Sequence, residues 1–325
     1  METFRFIDLF AGIGGFRLAF ERLGGRCVFS SEINPHSHKT YAANFGDVPH
    51  GDICQITAAE IPHHDLLLGG FPCQAFSIAG RRGGFEDARG TLFFEIARIL
   101  QEKRPRAFVL ENVKGLTHHH GGRTLARMLA ILREELGYHV PEPQVLNARH
   151  FGLAQSRERI FLVGFAGAEP AARFVFPTGN GQTAVFGDVR EGAAVPARYY
   201  LSQTYLDTLR RHRARHESKG NGFGYEVIGE AQVANTLVLG GMGRERNLVH
   251  DPRLQDTTPE TRIVGPINEE MIRRMTPREW ARLQGFPDSF TIPVSDTQAY
   301  RQFANAVPVP MVQAVGAAVL AALAE

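Results

Sequence analysis

The sequence predicts an α/β fold, a mainly parallel sheet covered on both faces by helices, joined to a second, smaller domain of irregular structure. Three observations carry this. Short apolar runs alternate with helical patterns through the first half, the pattern of stacked βαβ units. The first apolar run ends in the glycine-rich turn Gly12-Ile-Gly-Gly15. After about residue 174 the periodicity fades into Gly-rich, polar segments such as Lys219-Gly-Asn-Gly-Phe-Gly-Tyr225 and Gly240-Gly-Met-Gly-Arg-Glu-Arg246.

In chain order, residues 6–10 read as a strand, 15–23 as a helix, 27–31 as a strand and 36–44 as a helix. Apolar runs place further strands at 65–68, 107–111 and 159–165, and helical spacing places helices at 91–103 and 124–136. Helical patterning returns from Glu269 and ends in an Ala- and Val-rich helix over 309–324, suited to packing back on the first domain. The expected division is therefore a catalytic and cofactor-binding domain over 1–174, a recognition domain over 175–268, and over 269–325 the remainder of that domain with the returning helix. In sheets of this class ligands bind beyond the carboxyl ends of the strands, so the chemistry is expected in the loops there.

Composition narrows the classes. With 325 residues, 43% hydrophobic and 22% charged, the chain has material for a large core and is neither fibrous nor disordered. The net charge of +2 decides nothing about partners, but residues 198–219 hold six Lys or Arg against two acids, an electropositive segment. Cys27, Cys54 and Cys73 form neither a disulfide framework nor a CxxC zinc pair. His63-His64 and His118-His119-His120 lack zinc spacing, so no metal is expected. The opening residues do not resemble a signal peptide, and no run is expected to approach the ~18 apolar residues of a membrane span. A cytoplasmic protein is expected.

The candidate chemistry falls at strand ends. Gly12, Gly14 and Gly15 allow close approach of a ligand to the backbone. No glycine stands at Arg17, so the GxGxxG dinucleotide fingerprint is not met. Glu32 follows the second strand, where an acid accepts from ribose hydroxyls, and Asp52 follows Gly51 as an acceptor for an adenine amine. Cys73, stiffened by Pro72, stands at the cleft mouth as a nucleophile for an electron-poor carbon. Glu111 ends an apolar strand, where an acid in an apolar wall is expected to stay protonated. Arg157 and Arg159 are anion or carbonyl binders.

Six ordered motifs resemble the DNA (cytosine-5)-methyltransferases: Asp8-Leu-Phe-Ala-Gly-Ile-Gly-Gly15, Gly70-Phe-Pro-Cys-Gln74, Glu111-Asn-Val113, Gln155-Ser-Arg-Glu-Arg159, Arg278-Glu-Trp-Ala-Arg-Leu-Gln-Gly-Phe-Pro-Asp288 and Gln302-Phe-Ala-Asn-Ala-Val307. The segments 216–225 and 240–247 are similar to those of HpaII-type enzymes, which modify CCGG. The resemblance implies a Rossmann-like S-adenosylmethionine-dependent methyltransferase fold with a target-recognition domain. It implies that Cys73 adds to C6 of a flipped cytosine, that Glu111 engages N3 and the exocyclic amine, that Arg159 contacts the carbonyl oxygen, and that Arg157 lies near the target phosphate. It implies S-adenosylmethionine held by Phe10, Gly12, Gly14, Glu32, Ile33, Asp52, Ile53, Pro72, Leu92 and Asn305. Duplex DNA would be met by Gln74, Ser77, Arg211, Arg213, Lys219, Arg244 and Arg246, the last two either forking onto guanine or, alternatively, bound to phosphate or paired with Glu245 or another acid. Ile33 stands where the family often has an aromatic residue, and Ala304 and Ala306 flank Asn305 in place of Gly and Ser. A monomer, and a cognate restriction endonuclease on a separate chain, complete the expected picture. Two rivals are an inactive homologue that only binds DNA and an NAD-dependent oxidoreductase, the latter leaving Cys73 and Glu111 unexplained.

Overall fold

The computed structural model describes residues 4–71, 92–221, 224–239, 243–258 and 265–324. The chain forms two compact units, one from 1–147, 158–180 and 306–325, the other from 148–157 and 181–305.

The first unit is built on six strands: β1 (Arg5–Leu9), β2 (Arg26–Ser31), β3 (Leu66–Gly70), β4 (Ala107–Val113), β5 (Gln144–Asn147) and β6 (Glu158–Phe165), ordered β2-β1-β3-β4-β6-β5. The first four pair in parallel. β6 runs antiparallel to β4, and β5 antiparallel to β6. The sheet is thus parallel-rich, as the alternating pattern predicts. β5 was not legible, because only four residues contribute and none is fully buried.

Continuous apolar runs such as Leu66-Leu-Leu68 and Phe108-Val-Leu110 are buried because helices cover both faces. Ile7 and Leu9 join one core with α3 (Leu92–Lys103) and α4 (Arg123–Ala130). Phe6, one position out of phase, packs instead on Phe20 of α1 (Gly15–Glu21), with ring centroids 5.7 Å apart. The helix expected over 124–136 is α4 followed by a wider turn in which the Leu136 amide donates to the Ile131 carbonyl. Helices α2 (Pro35–Phe45) and α5 (Ala168–Arg173) complete this part of the unit.

The second unit has a three-stranded sheet of β7 (Val227–Ile228), β8 (Leu248–His250) and β9 (Ile272–Arg274), with helices α6 (Phe186–Val189), α7 (Gln203–Glu217), α8 (Pro277–Leu283) and α9 (Asp296–Asn305). On the 15-residue α7 only Leu206 and Leu209 are buried, which is why this basic segment shows so little periodicity. Buried charge supplements the small apolar clusters. Arg273, Asp251 and Glu279 are each fully buried, with both guanidinium–carboxylate contacts at 2.8 Å. Arg190 and Arg253 also reach Asp251 at 2.8 Å.

Helix α10 (Val309–Leu323) returns to the first unit and packs on α1. Gly316 permits this approach, since a Cβ there would lie 2.8 Å from Phe20 and 2.9 Å from Leu23. One expectation fails here: by length and composition the run Asp296–Leu323 is apolar enough to cross a membrane. More than half of its most apolar window is buried, and the side chains of α10 facing α1 account for that apolarity as a core helix.

Asp251 faces three guanidiniums, which hold its carboxyl far below the usual carboxylate range despite its burial. A depressed folded-state pKa adds stability that is complete above about pH 4 and is lost as the pH falls further. Asp251→Asn is expected to destabilise the protein by about 3–5 kcal/mol in urea melts at neutral pH, because it strands buried arginines. Repeating the melts between pH 5 and 3 should give a shallower acid loss in the variant than in the parent chain.

Candidate active site

The carboxyl ends of β1 to β4 share one rim, and the turn after β1 is its most constrained part. Phe10 (φ 58°), Gly12 (φ 55°) and Gly14 (φ 84°) all lie in the left-handed region, tolerable for glycine and costly for phenylalanine. A Cβ on Gly14 would stand 2.2 Å from the Phe45 ring, whereas the space beside Gly12 is open. Beneath this turn Asp8 is fully buried, and burial pushes its carboxyl up to about 8 against the opposing influence of Arg17.

Glu32 ties the first two strand ends together, accepting from the Gly12 amide (2.9 Å) and, on its other oxygen, from the Asn34 amide (2.8 Å). Its own amide donates to the His50 carbonyl at 2.8 Å, bringing the 50–53 turn alongside. There Asp52 accepts from the Cys54 amide at 3.0 Å. Ile33 is 72% exposed, an apolar side chain held in solvent beside Glu32. The side chain of Ile53 is buried in the core, which leaves its backbone for a ligand. Leu92, the first residue of α3, is half-buried against the same core.

Glu111 lies near the carboxyl end of β4, opposite Gly70 in the parallel register. A Cβ on Gly70 would come within 3.4 Å of its carboxylate, so glycine there leaves the acid its room. The side chain of Glu111 is 10% exposed and pairs at 2.9 Å with Nε of Arg159, itself 11% exposed. The wall around the acid is therefore not wholly apolar, since it also brings a guanidinium to the carboxyl group. Burial lowers the Arg159 pKa from the ordinary arginine value, and Glu111 opposes that shift. Asn112, missed by sequence reasoning, is also buried and donates from Nδ2 to the Phe71 carbonyl at 2.9 Å. It anchors the last described residue before Pro72. Pro72, Cys73, Gln74 and Ser77 lie outside the described residues.

In the second unit, Arg157 is buried and donates to the carbonyls of Leu237 (3.0 Å) and Ala304 (2.7 Å). Two of its guanidinium nitrogens thus face protein carbonyls. Gln155 and Gln284, both fully buried, belong to the same frame. Gln155 accepts from the Leu237 amide and donates to the Leu283 carbonyl, each at 3.0 Å, and Gln284 donates to the Phe303 carbonyl at 2.6 Å. The frame holds the residues just before exposed Asn305 and those leading to the 240–243 glycines. Among the basic residues, Arg211 and Lys219 are exposed and make no ion pair with a described residue. Arg213 is committed to Glu217 at 2.8 Å, and Arg246 lies 3.6 Å from Glu226.

A parallel-rich sheet with a left-handed glycine turn after β1, an acid after β2 and a buried carboxylate–guanidinium pair at the end of β4 belongs to the Rossmann-like class. Family comparison is more specific: residues 4–321 match the C-5 cytosine-specific DNA methylase model, and the chain belongs to that family, as a DNA cytosine-5-methyltransferase. It is 60% identical to the Type II methyltransferase M.HpaII of Haemophilus parainfluenzae, over 98% of this chain and 90% of that one. M.DsaV of Dactylococcopsis salina is 46% identical over 97% and 85%. The fold matches the crystal structure of the S. pombe Dnmt2 methyltransferase, with TM-score 0.74, 20% identity and full coverage of both chains.

The Asn112 anchor is directly testable. Asn112→Ala strands the buried Phe71 carbonyl and should cost about 1–3 kcal/mol in chemical denaturation. Asn112→Asp, of the same shape without the donor, should lose at least as much; parent-like stability in both would remove the anchor's importance.

Proposed function

We propose that the enzyme transfers a methyl group from S-adenosylmethionine to C5 of a cytosine flipped out of duplex DNA, at the inner cytosine of CCGG, as the modification partner of a restriction system. The observation that carries the reading is the Glu111–Arg159 pair, delivered to the rim where the chain enters Pro72 and Cys73. C6 is inaccessible within the base stack, so the base must leave it. The Cys73 thiolate adds to C6 while Glu111 engages N3 and the exocyclic amine and Arg159 the carbonyl oxygen, raising electron density at C5. The bound cofactor supplies an electrophilic methyl carbon. Once C5 carries the methyl group, loss of its proton to a base restores the ring double bond and expels Cys73 as thiolate.

The residues present fit such a cofactor. Open space beside Gly12, the carboxylate of Glu32 oriented by two amides, and the exposed Ile33 lie together at the ends of β1 and β2. Glu32 would receive ribose hydroxyls, Ile33 would lie against adenine, and Asp52 would accept from its amine. Phe10, Gly14, Pro72, Leu92 and Asn305 complete the proposed set. Arg157 becomes a positioning residue, because its hydrogen bonds run to protein carbonyls. Arg211 and Lys219 would meet phosphates, and Gln74 and Ser77 would also contact the DNA. The pairing of Arg246 with Glu226 joins two half-exposed side chains and is weak enough to yield to the N7 and O6 of guanine. A palindromic site can be modified one strand at a time, so a monomer in the cell interior suffices.

DNA carrying 5-fluorocytosine at the target should trap the parent enzyme as a denaturation-resistant adduct, because fluorine cannot leave C5 as a proton. Cys73→Ser should abolish the adduct; one that persisted and mapped to Cys27 or Cys54 would sink the assignment. Glu111→Gln should slow turnover by about 10² to 10⁴ with cofactor affinity little changed. Bisulfite sequencing of plasmid from an expressing host should show modification of the inner cytosine of CCGG, and a signal concentrated at GCGC or GGCC would refute the target.

A further inference from the structure

The second unit contains a cavity of about 490 Å³ that no proposed catalytic or cofactor residue lines. It lies between the start of α7, the start of α9 and Arg274 of β9. Three guanidiniums line it, each over a tyrosine ring: Arg198 over Tyr199 at 4.9 Å, Arg244 over Tyr300 at 5.5 Å and Arg274 over Tyr205 at 5.3 Å. Two of them have carboxylate company. Asp296 lies 3.6 Å from Arg198, and the buried Glu245 accepts from Arg274 at 2.8 Å. Arg244 makes no ion pair with a described residue, so three guanidiniums face two carboxylates and one positive charge is left uncompensated.

The rest of the polar lining is hydroxylic, including Thr204 and Thr208, both exposed at the edge of α7. A nucleobase needs an aromatic face for stacking and a mixed set of donors and acceptors, and here three of the four lining tyrosines have a guanidinium over the ring while the fourth, Tyr200, is buried. A phosphate group presents acceptors only and matches guanidinium and hydroxyl donors. Arg244 directly follows the 240–243 glycines, where close approach of DNA is expected.

We propose that this cavity seats a backbone phosphate of bound duplex DNA, with Arg244 as its principal contact. The assignment rests on the reading of the chain as a duplex-DNA enzyme and replaces the expected role of Arg244 as a reader of guanine. Phosphate contacts set register and affinity without carrying sequence information.

The test is fluorescence anisotropy with the full chain and two 20-base-pair duplexes, one containing CCGG and one scrambled, across a salt series. Arg244→Ala should weaken both duplexes by the same factor, keep their affinity ratio, and shallow the slope of log K against log salt by about 0.9, the value for one lost phosphate contact. Arg244→Lys should restore most of the slope, as a point charge on phosphate would and a bidentate guanine fork would not. Thr204→Glu, an exposed change in the first turn of α7, should weaken both duplexes equally by repulsion. Loss of the affinity ratio with an unchanged slope, or no change in any variant while the parent binds, would overturn the phosphate seat alone. Failure of the parent chain to bind either duplex would overturn the DNA reading as well.

Discussion

The antiparallel pairing of β6 with β4 is the constraint on which the candidate active site depends. Its register sets Val113 opposite Arg159 and Glu111 opposite Phe161, so the first residues of β6 meet the last residues of β4. Were β6 parallel, like the strands before it, Arg159 would begin at the far edge of the sheet, roughly 20 Å away at ~3.3 Å per residue. Glu111 would then be a buried acid without its cation, an arrangement that costs several kcal/mol. One reversal of strand direction therefore supplies the ion pair and places both members on the ligand-binding rim.

A second principle governs the second unit, where buried polar groups supplement small apolar clusters. Arg157 and Gln155 join segments 80 to 147 residues apart in sequence through hydrogen bonds to backbone carbonyls and amides, and Gln284 adds a bond to the Phe303 carbonyl. Such bonds add little net stability each, but leaving one unmade is expensive, so they select one arrangement among many. The fully buried Asp251–Arg273–Glu279 cluster acts in the same way under the three-stranded sheet. A unit with such short strands keeps a defined shape through these bonds.

The turn after β1 shows what the site costs the fold. Phe10 occupies a left-handed conformation that its side chain disfavours, and Gly14 could not carry a Cβ beside Phe45. Glu32 offsets part of that strain by accepting from the Gly12 amide, so one carboxylate both orders the turn and points toward the space that a cofactor would fill.

Much was determined by the sequence alone. The apolar runs that became β1 to β4 and β6, the glycine turn, and the placement of Glu32 and Glu111 at strand ends follow from local pattern, because burial on both faces and left-handed backbone leave marks in residue type. The family was legible for the same reason, in six ordered motifs. Only the tertiary structure decided strand direction, the company each charge keeps, and which polar side chains go inside. Nothing local distinguishes Arg157, which is buried on carbonyls, from Arg211, which is exposed, or marks Asn112 and Gln155 as interior. Those outcomes depend on partners tens of residues away, and the free energy of a polar group is set by the partner it finds rather than by its own chemistry.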